Sequence, residues 1–216
     1  MISMRIVKLL FFYISISFFA VFFYSCESDD EIKTDSAKSN LVVKAKEFLT
    51  GDIVLSAHAT MNGVNKTLLP TGCPTKFNFA WKDAKTDTLT ISLLDFTVGK
   101  MGMIINFKCD VTTMPLNSWE KDEYRGDGWF KFYGKDGHTW GQNNEGNPSD
   151  TKGSSVKGYF NVNTHEINFI VDYNMMNVRS ECFLQVVDKT RINRFDEEFA
   201  QYEADLKKWK EEHGLN

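Results

Sequence analysis

The sequence predicts a mainly β protein: an antiparallel barrel or sandwich of about 8–9 strands, with a short helix before it and an amphipathic helix after it. Three observations carry this. From Ile53 to Val187, apolar residues mostly recur at every second position, the period of a half-buried strand. Turn-forming pairs such as Asn62-Gly63 and Asn163-Thr164 separate the runs. On either side of this region the period lengthens to that of a helix.

The chain opens with Arg5 and Lys8, followed by an uncharged, mostly apolar run from Leu9 to Phe23. That run is about 15 residues, short of the roughly 20 needed to cross a bilayer core. Tyr24, Ser25 and Cys26 follow, then Glu27, Ser28, Asp29, Asp30 and Glu31. A basic start, an apolar run and a small residue before a junction describe a secretory signal peptide. We therefore divide the chain into a signal at 1–25, an acidic flexible tether at 26–40, and one β-rich domain at 41–216 with a C-terminal helix at 191–213. Leu41, Val42, Ala45, Phe48 and Leu49 fall at helical spacing, capped by Asn40 and Gly51.

Period two then takes over. Ile53, Leu55, Ala57, Ala59 and Met61 alternate with polar residues, Val54 being the exception. Phe77, Phe79 and Trp81 do the same. Leu89, Ile91 and Leu93 share one face, whereas Leu94, Phe96 and Val98 share the other. A β-bulge at Leu93-Leu94 would keep both triplets inward. Met101 to Val111 reads as a long strand, with later strands at Trp129–Tyr133, Val156–Val162, Ile167–Tyr173 and Cys182–Val187. Finally Ile192, Phe195, Phe199, Tyr202, Leu206 and Trp209 recur every third or fourth residue, an amphipathic helix whose stripe is expected to pack on the β domain. A monomer is favoured over a coiled-coil dimer on this reading.

The formal charge is −4 and becomes more negative once Arg5 and Lys8 leave, which argues against nucleic acid as a partner. Beyond Cys26 the cysteines are Cys73, Cys109 and Cys182. Their spacing fits no zinc knuckle; Cys109 and Cys182 fall on apolar strand faces, and Cys73 in a Gly72-Cys73-Pro74 loop. His58, His138, His165 and His213 are never three or four residues apart, so no helical metal pair exists. No nucleophile elbow or phosphate loop appears. Arg125-Gly126-Asp127 reads as a turn. We expect no metal, no cofactor and no enzymatic activity.

Residues 119–150 mix Trp119, Tyr124, Trp129, Tyr133 and Trp140 with amides, carboxylates and six glycines, including Gly134 and Gly137, which make the segment loop-rich. Flat aromatic faces beside polar groups suit sugar rings. Trp119, Tyr124, Trp140, Asn143 and Asn144 are the candidate glycan contacts, although Trp129, Phe130 and Phe132 read as core on a long hairpin.

Ser25-Cys26 resembles the lipobox of bacterial lipoproteins, which implies lipidation of Cys26 and a membrane anchor. Ser28 to Glu31 resembles the signal that carries Bacteroidetes-type lipoproteins to the outer face of the outer membrane. Asp35-Ser36-Ala37 resembles the O-glycosylation acceptor of that group, which implies modification at Ser36. Thr90 to Asn117, with Leu94-Asp95-Phe96 and Met101-Gly102-Met103, is similar to lipoproteins of that group with calycin-like barrels. That resemblance implies a barrel, and if its interior is open Phe77, Phe79, Trp81, Ile105 and Phe107 are the candidate contacts for an apolar ligand. The expected function is thus a surface-anchored, non-enzymatic binding lipoprotein for glycan or other extracellular material. The alternatives are a carrier of a small apolar molecule inside the barrel and a structural partner of an outer-membrane complex.

Overall fold

The computed structural model describes residues 40–83, 87–97, 104–141 and 150–215. A helix at 40–48 (α1) leads into β1 (Gly51–Met61), β2 (Val64–Asn65), β3 (Cys73–Trp81), β4 (Thr88–Phe96) and β5 (Ile105–Met114). One helical turn, α2 (Glu120–Glu123), precedes β6 (Trp129–Trp140), β7 (Thr151–Asn161), β8 (Glu166–Asp172) and β9 (Val178–Val186). A 3-10 segment (Lys189–Arg194) then starts the C-terminal helix α3 (Phe195–Glu212). All pairings are antiparallel, in the order β1-β3-β4-β5-β6-β7-β8-β9, and β9 returns to β1. The result is a closed eight-stranded barrel with β2 as an extra strand on β1. Asn62 and Gly63 make the β1–β2 turn with φ of 53° and 76°, the left-handed pair a type I′ hairpin requires.

Alternation places the core inside. Ile53, Leu55, Ala57 and Ala59 of β1, Phe77 and Phe79 of β3, and Leu89, Ile91 and Leu93 of β4 are all buried. The slip after Leu93 is a register shift between Leu93 and Phe96 against β5. It turns Phe96 inward but leaves Leu94 64% exposed, so only part of the second triplet returns to the core. Val98 and Met101 to Met103 lie outside the described residues, and β5 starts at Ile105. Cys73 is not in a loop; it is the buried first residue of β3.

The glycine-rich stretch after Tyr133 is also strand rather than loop, because β6 runs on to Trp140. Gly134 and Gly137 sit at register shifts in β6. A Cβ on Gly134 would lie 2.1 Å from the Asp110 carbonyl oxygen, so the strands approach there as only glycine permits.

Inside, opposed walls meet. Phe77 and Phe79 of β3 contact Phe169 of β8 edge-on, with centroids 5.0 and 6.2 Å apart. Phe132 of β6 reaches the same ring at 6.0 Å. Towards the other end Phe107 meets Tyr173 at 5.4 Å, and Tyr173 donates a hydrogen bond to Ser180 Oγ at 2.9 Å.

Gly51, Trp81, Met114, Trp129, Asn161, Glu166 and Val186 outline one end of the barrel. The helix α1 closes it: Ala45 and Leu49 join the barrel core, and Trp81 donates from Nε1 to the Leu49 carbonyl at 2.9 Å.

Below Ala57 the ladder between β1 and β9 ends. There the Gln185 side chain takes the place of a strand, accepting from Ser56 N–H at 2.8 Å and donating to its carbonyl at 2.9 Å. The 3-10 segment and α3 then pack on the outside of β1 and β3. Tyr202 and Leu206 are buried against Leu69 and Cys73, and Tyr202 donates to the Thr67 carbonyl at 3.0 Å. Two residues of the helical stripe, Tyr202 and Leu206, are thus buried within the chain, and Ile192, Phe195, Phe199 and Trp209 remain half-buried.

Candidate ligand groove on the barrel wall

Strand register brings together side chains that lie far apart in sequence. Asp52 of β1 stands opposite Asn78 of β3, and Asn78 stands opposite Ser92 of β4. All three lie on outward positions, between inward neighbours such as Ile53, Phe77 and Leu93. The Asn78 amide donates to Asp52 Oδ1 at 2.8 Å. A carboxylate has about four lone-pair sites and a primary amide has two donors and an acceptor, so this one bond leaves most of their capacity for another group.

The first turns of α3 form the opposite side. Phe195 and Phe199 are half-buried, with ring centroids 5.9 Å apart. Lys76 places its ammonium 5.3 Å from the Phe195 ring, a cation–π contact. The space between helix and wall is a groove of about 480 Å³, bordered further by Leu94 and Asp95. Asp95 holds a left-handed backbone (φ 53°), and its N–H donates to Asn106 Oδ1 at 2.9 Å. The groove thus pairs aromatic faces with a row of hydroxyl, amide and carboxylate groups, within the volume range of small-ligand sites of about 300–1,000 Å³.

Two further hollows are less suited. A 420 Å³ space beside α3 has its two arginines already paired: Arg191 bonds Glu198 at 2.6 Å, and Arg194 reaches Asp188 at 3.4 Å. A 280 Å³ hollow beside β7 to β9 involves Tyr124 and Tyr159, whose rings stack on each other at 4.0 Å and are buried. Burial and the bond it donates to Glu120 push the Tyr159 phenol up to about 12.

The residues singled out from sequence are dispersed. Trp119 is 71% exposed just ahead of α2, whereas Tyr124 is buried against Trp129 and Tyr159. Trp140 is buried at the far end of β6. Asn143, Asn144, Cys26 and Ser36 lie outside the described residues. Phe77, Phe79, Ile105 and Phe107 are fully buried in the barrel core, with Trp81 half-buried at its rim. Cys73, Cys109 and Cys182 are buried free thiols. Among the described residues no group of three or more His, Cys, Asp or Glu is placed to hold a metal ion.

As site residues, Asp52, Asn78, Ser92 and Phe199 were not singled out from the sequence. Each strand residue reads as one more polar position on a solvent face, and only the β1–β3–β4 register joins them. Phe199 belonged to the helical stripe, and that it shares its flank with a groove is a property of how α3 lies on β3.

Among curated proteins and among solved structures the sequence has no match. The match to a family model spans residues 26–214, most of the chain, and the description of that family is a domain of unknown function (DUF4903). The chain belongs to the DUF4903 family.

Proposed function

We propose that this protein is a lipid-anchored, non-enzymatic binding protein of the outer-membrane surface, calycin-like in its barrel, that holds a sugar ring of an extracellular glycan in the groove between α3 and the wall. The observation that carries the reading is the pairing of Phe195 and Phe199 with the Asp52–Asn78–Ser92 row across one 480 Å³ space. Sugar rings present C–H faces to aromatics and hydroxyls to amides and carboxylates. The meeting of Phe77, Phe79 and Phe132 at Phe169 favours a ligand on the wall over one inside the barrel. The anchor reading is supported by the family match, which begins at Cys26, the residue that signal cleavage would leave first.

Titration of the purified lipidated protein in detergent with cello-, chito-, malto-, manno- and xylo-oligosaccharides tests the binding. At least one series should bind and be recovered uncut, with Asn78→Ala weakening it about tenfold, as loss of roughly 1.5 kcal/mol in hydrogen bonding implies. Absence of binding to every series, or equal binding by the variant, removes the groove from the reading. Cys26→Ala should release the protein from membranes; retention of the variant there with its signal uncut points to a transmembrane anchor instead.

A further inference from the structure

Three of the five tryptophans belong to one end of the barrel. Trp81 is the last residue of β3, Trp129 is the first of β6, and Trp119 lies on the connection between β5 and β6. This is the end closed by α1, and the described chain enters it at residue 40. Trp81 and Trp129 are half-buried and serve the fold: one bonds Leu49, and the other packs on Tyr124. Trp119 is different. At 71% it is the most exposed of the large apolar side chains described.

Its position is nevertheless fixed. The next residue, Glu120, is 5% exposed. Its carboxylate receives bonds from Lys131 Nζ at 2.8 Å, the Asn117 N–H at 2.8 Å and the Tyr159 hydroxyl at 3.1 Å. Taking a carboxylate out of water costs several kcal/mol unless its lone pairs are met, and here three donors meet them. The network pins α2 to the barrel, so the indole beside it is held out in water by a rigid mount.

We infer that this end of the barrel rests on the membrane and that Trp119 inserts into the lipid headgroup region. Indole rings favour that layer because they combine a large apolar body with one N–H donor. Val43 on α1, at the same end, is 53% exposed and adds apolar contact. The inference rests on the anchored reading above. Given an anchor at Cys26, the stretch to residue 39 spans at most about 50 Å even when fully extended. Attachment turns docking of this end into an intramolecular event at high effective concentration, so a single indole suffices where a free protein would need more. The groove lies along the side wall, and standing on this end leaves it open to the exterior.

The test uses the full lipidated protein in phosphatidylcholine vesicles, with and without bromine on the acyl chains. Brominated lipid should quench the tryptophan fluorescence, and Trp119→Phe should abolish at least half of that quenching. Protein that floats with the vesicles but is quenched equally with and without Trp119, or not at all, overturns the inference and leaves the anchor standing. Protein that does not float with vesicles overturns both. If Trp119→Phe instead abolishes oligosaccharide binding and leaves quenching unchanged, the indole is a glycan contact and the membrane assignment is wrong.

Discussion

Glu120 is a buried carboxylate that keeps its charge. Burial pushes its pKa up, but the Lys131 ammonium, the Asn117 N–H and the Tyr159 hydroxyl outweigh that and hold it below the usual carboxylate value. A folded-state pKa below the unfolded one stabilises the fold at pH above the unfolded value of about 4.3, and the benefit fades as pH falls through the folded value. Glu120→Gln should therefore cost about 1–3 kcal/mol at pH 7. The gap between variant and wild type in denaturant midpoints should close progressively below about pH 4. A gap that is constant across pH would mean the carboxylate charge is not what fixes α2. The thiols make a second prediction at this scale. Burial pushes Cys73 up to about 12 and Cys109 up to about 11, and raises Cys182 well above its ordinary value. Since the thiolate is the reactive form, none of the three should label rapidly at pH 8 in a folded Cys26→Ser chain, and all three should in guanidinium. Fast labelling of the native protein would refute this.

At the scale of elements, α3 supplies the clearest expectation. Leu206 is buried against Leu69 and Cys73, whereas Phe199 is only half-buried at the groove. Leu206→Ala should cost about 2–4 kcal/mol and Phe199→Ala less, in calorimetry at fixed pH. Because the contact is within one chain, the melting temperature should not rise with protein concentration; a rise would indicate that association is linked to folding. This helix was legible in the sequence because one side of it meets one apolar surface, and the spacing from Ile192 to Trp209 records that side alone. The strands with one buried face were legible for the same reason, down to the slip at Leu93. What could not be read is what depends on two elements at once. Leu94 looked like a core residue until the bulge was seen to return Phe96 and not its neighbour. Gly134 and Gly137 looked like loop residues because a close crossing of strands and an open turn both demand glycine. The Asp52–Asn78–Ser92 row is a fact of register, and no single strand carries it. Trp119 and Trp140 have the same composition around them, yet one faces water and the other does not, because strand neighbours cover Trp140, with the His138 ring at 5.4 Å and the Lys108 ammonium at 5.9 Å.

At the scale of the molecule, the barrel is held by side chains that cross it. Gly158 sits where a Cβ would come within 2.3 Å of Phe169 Cβ and 2.5 Å of Phe132 Cζ. Gly158→Ala has no room to be absorbed, since moving either ring disturbs the contacts with Phe77 and Phe79. It should destabilise the protein by about 3 kcal/mol or more, the upper end of overpacking costs. A variant as stable as wild type in urea titration would show that the interior has slack, and would reopen the case for a ligand inside.

The seam has a consequence in time as well as in space. Ser56 and Gln185, which close it, are 129 positions apart in the chain. A ribosome finishes β1 long before it begins β9, and hairpins formed meanwhile make only an open, curling sheet whose first edge has no partner. Contacts this distant in sequence slow folding, because the loop between them must be closed before they yield anything. Closure of the barrel thus waits for β9, and only the 3-10 segment and α3 follow it in the chain. For a polypeptide threaded through a secretion channel, as the anchored reading requires, that delay is the interval in which it can still pass as an unsealed strand.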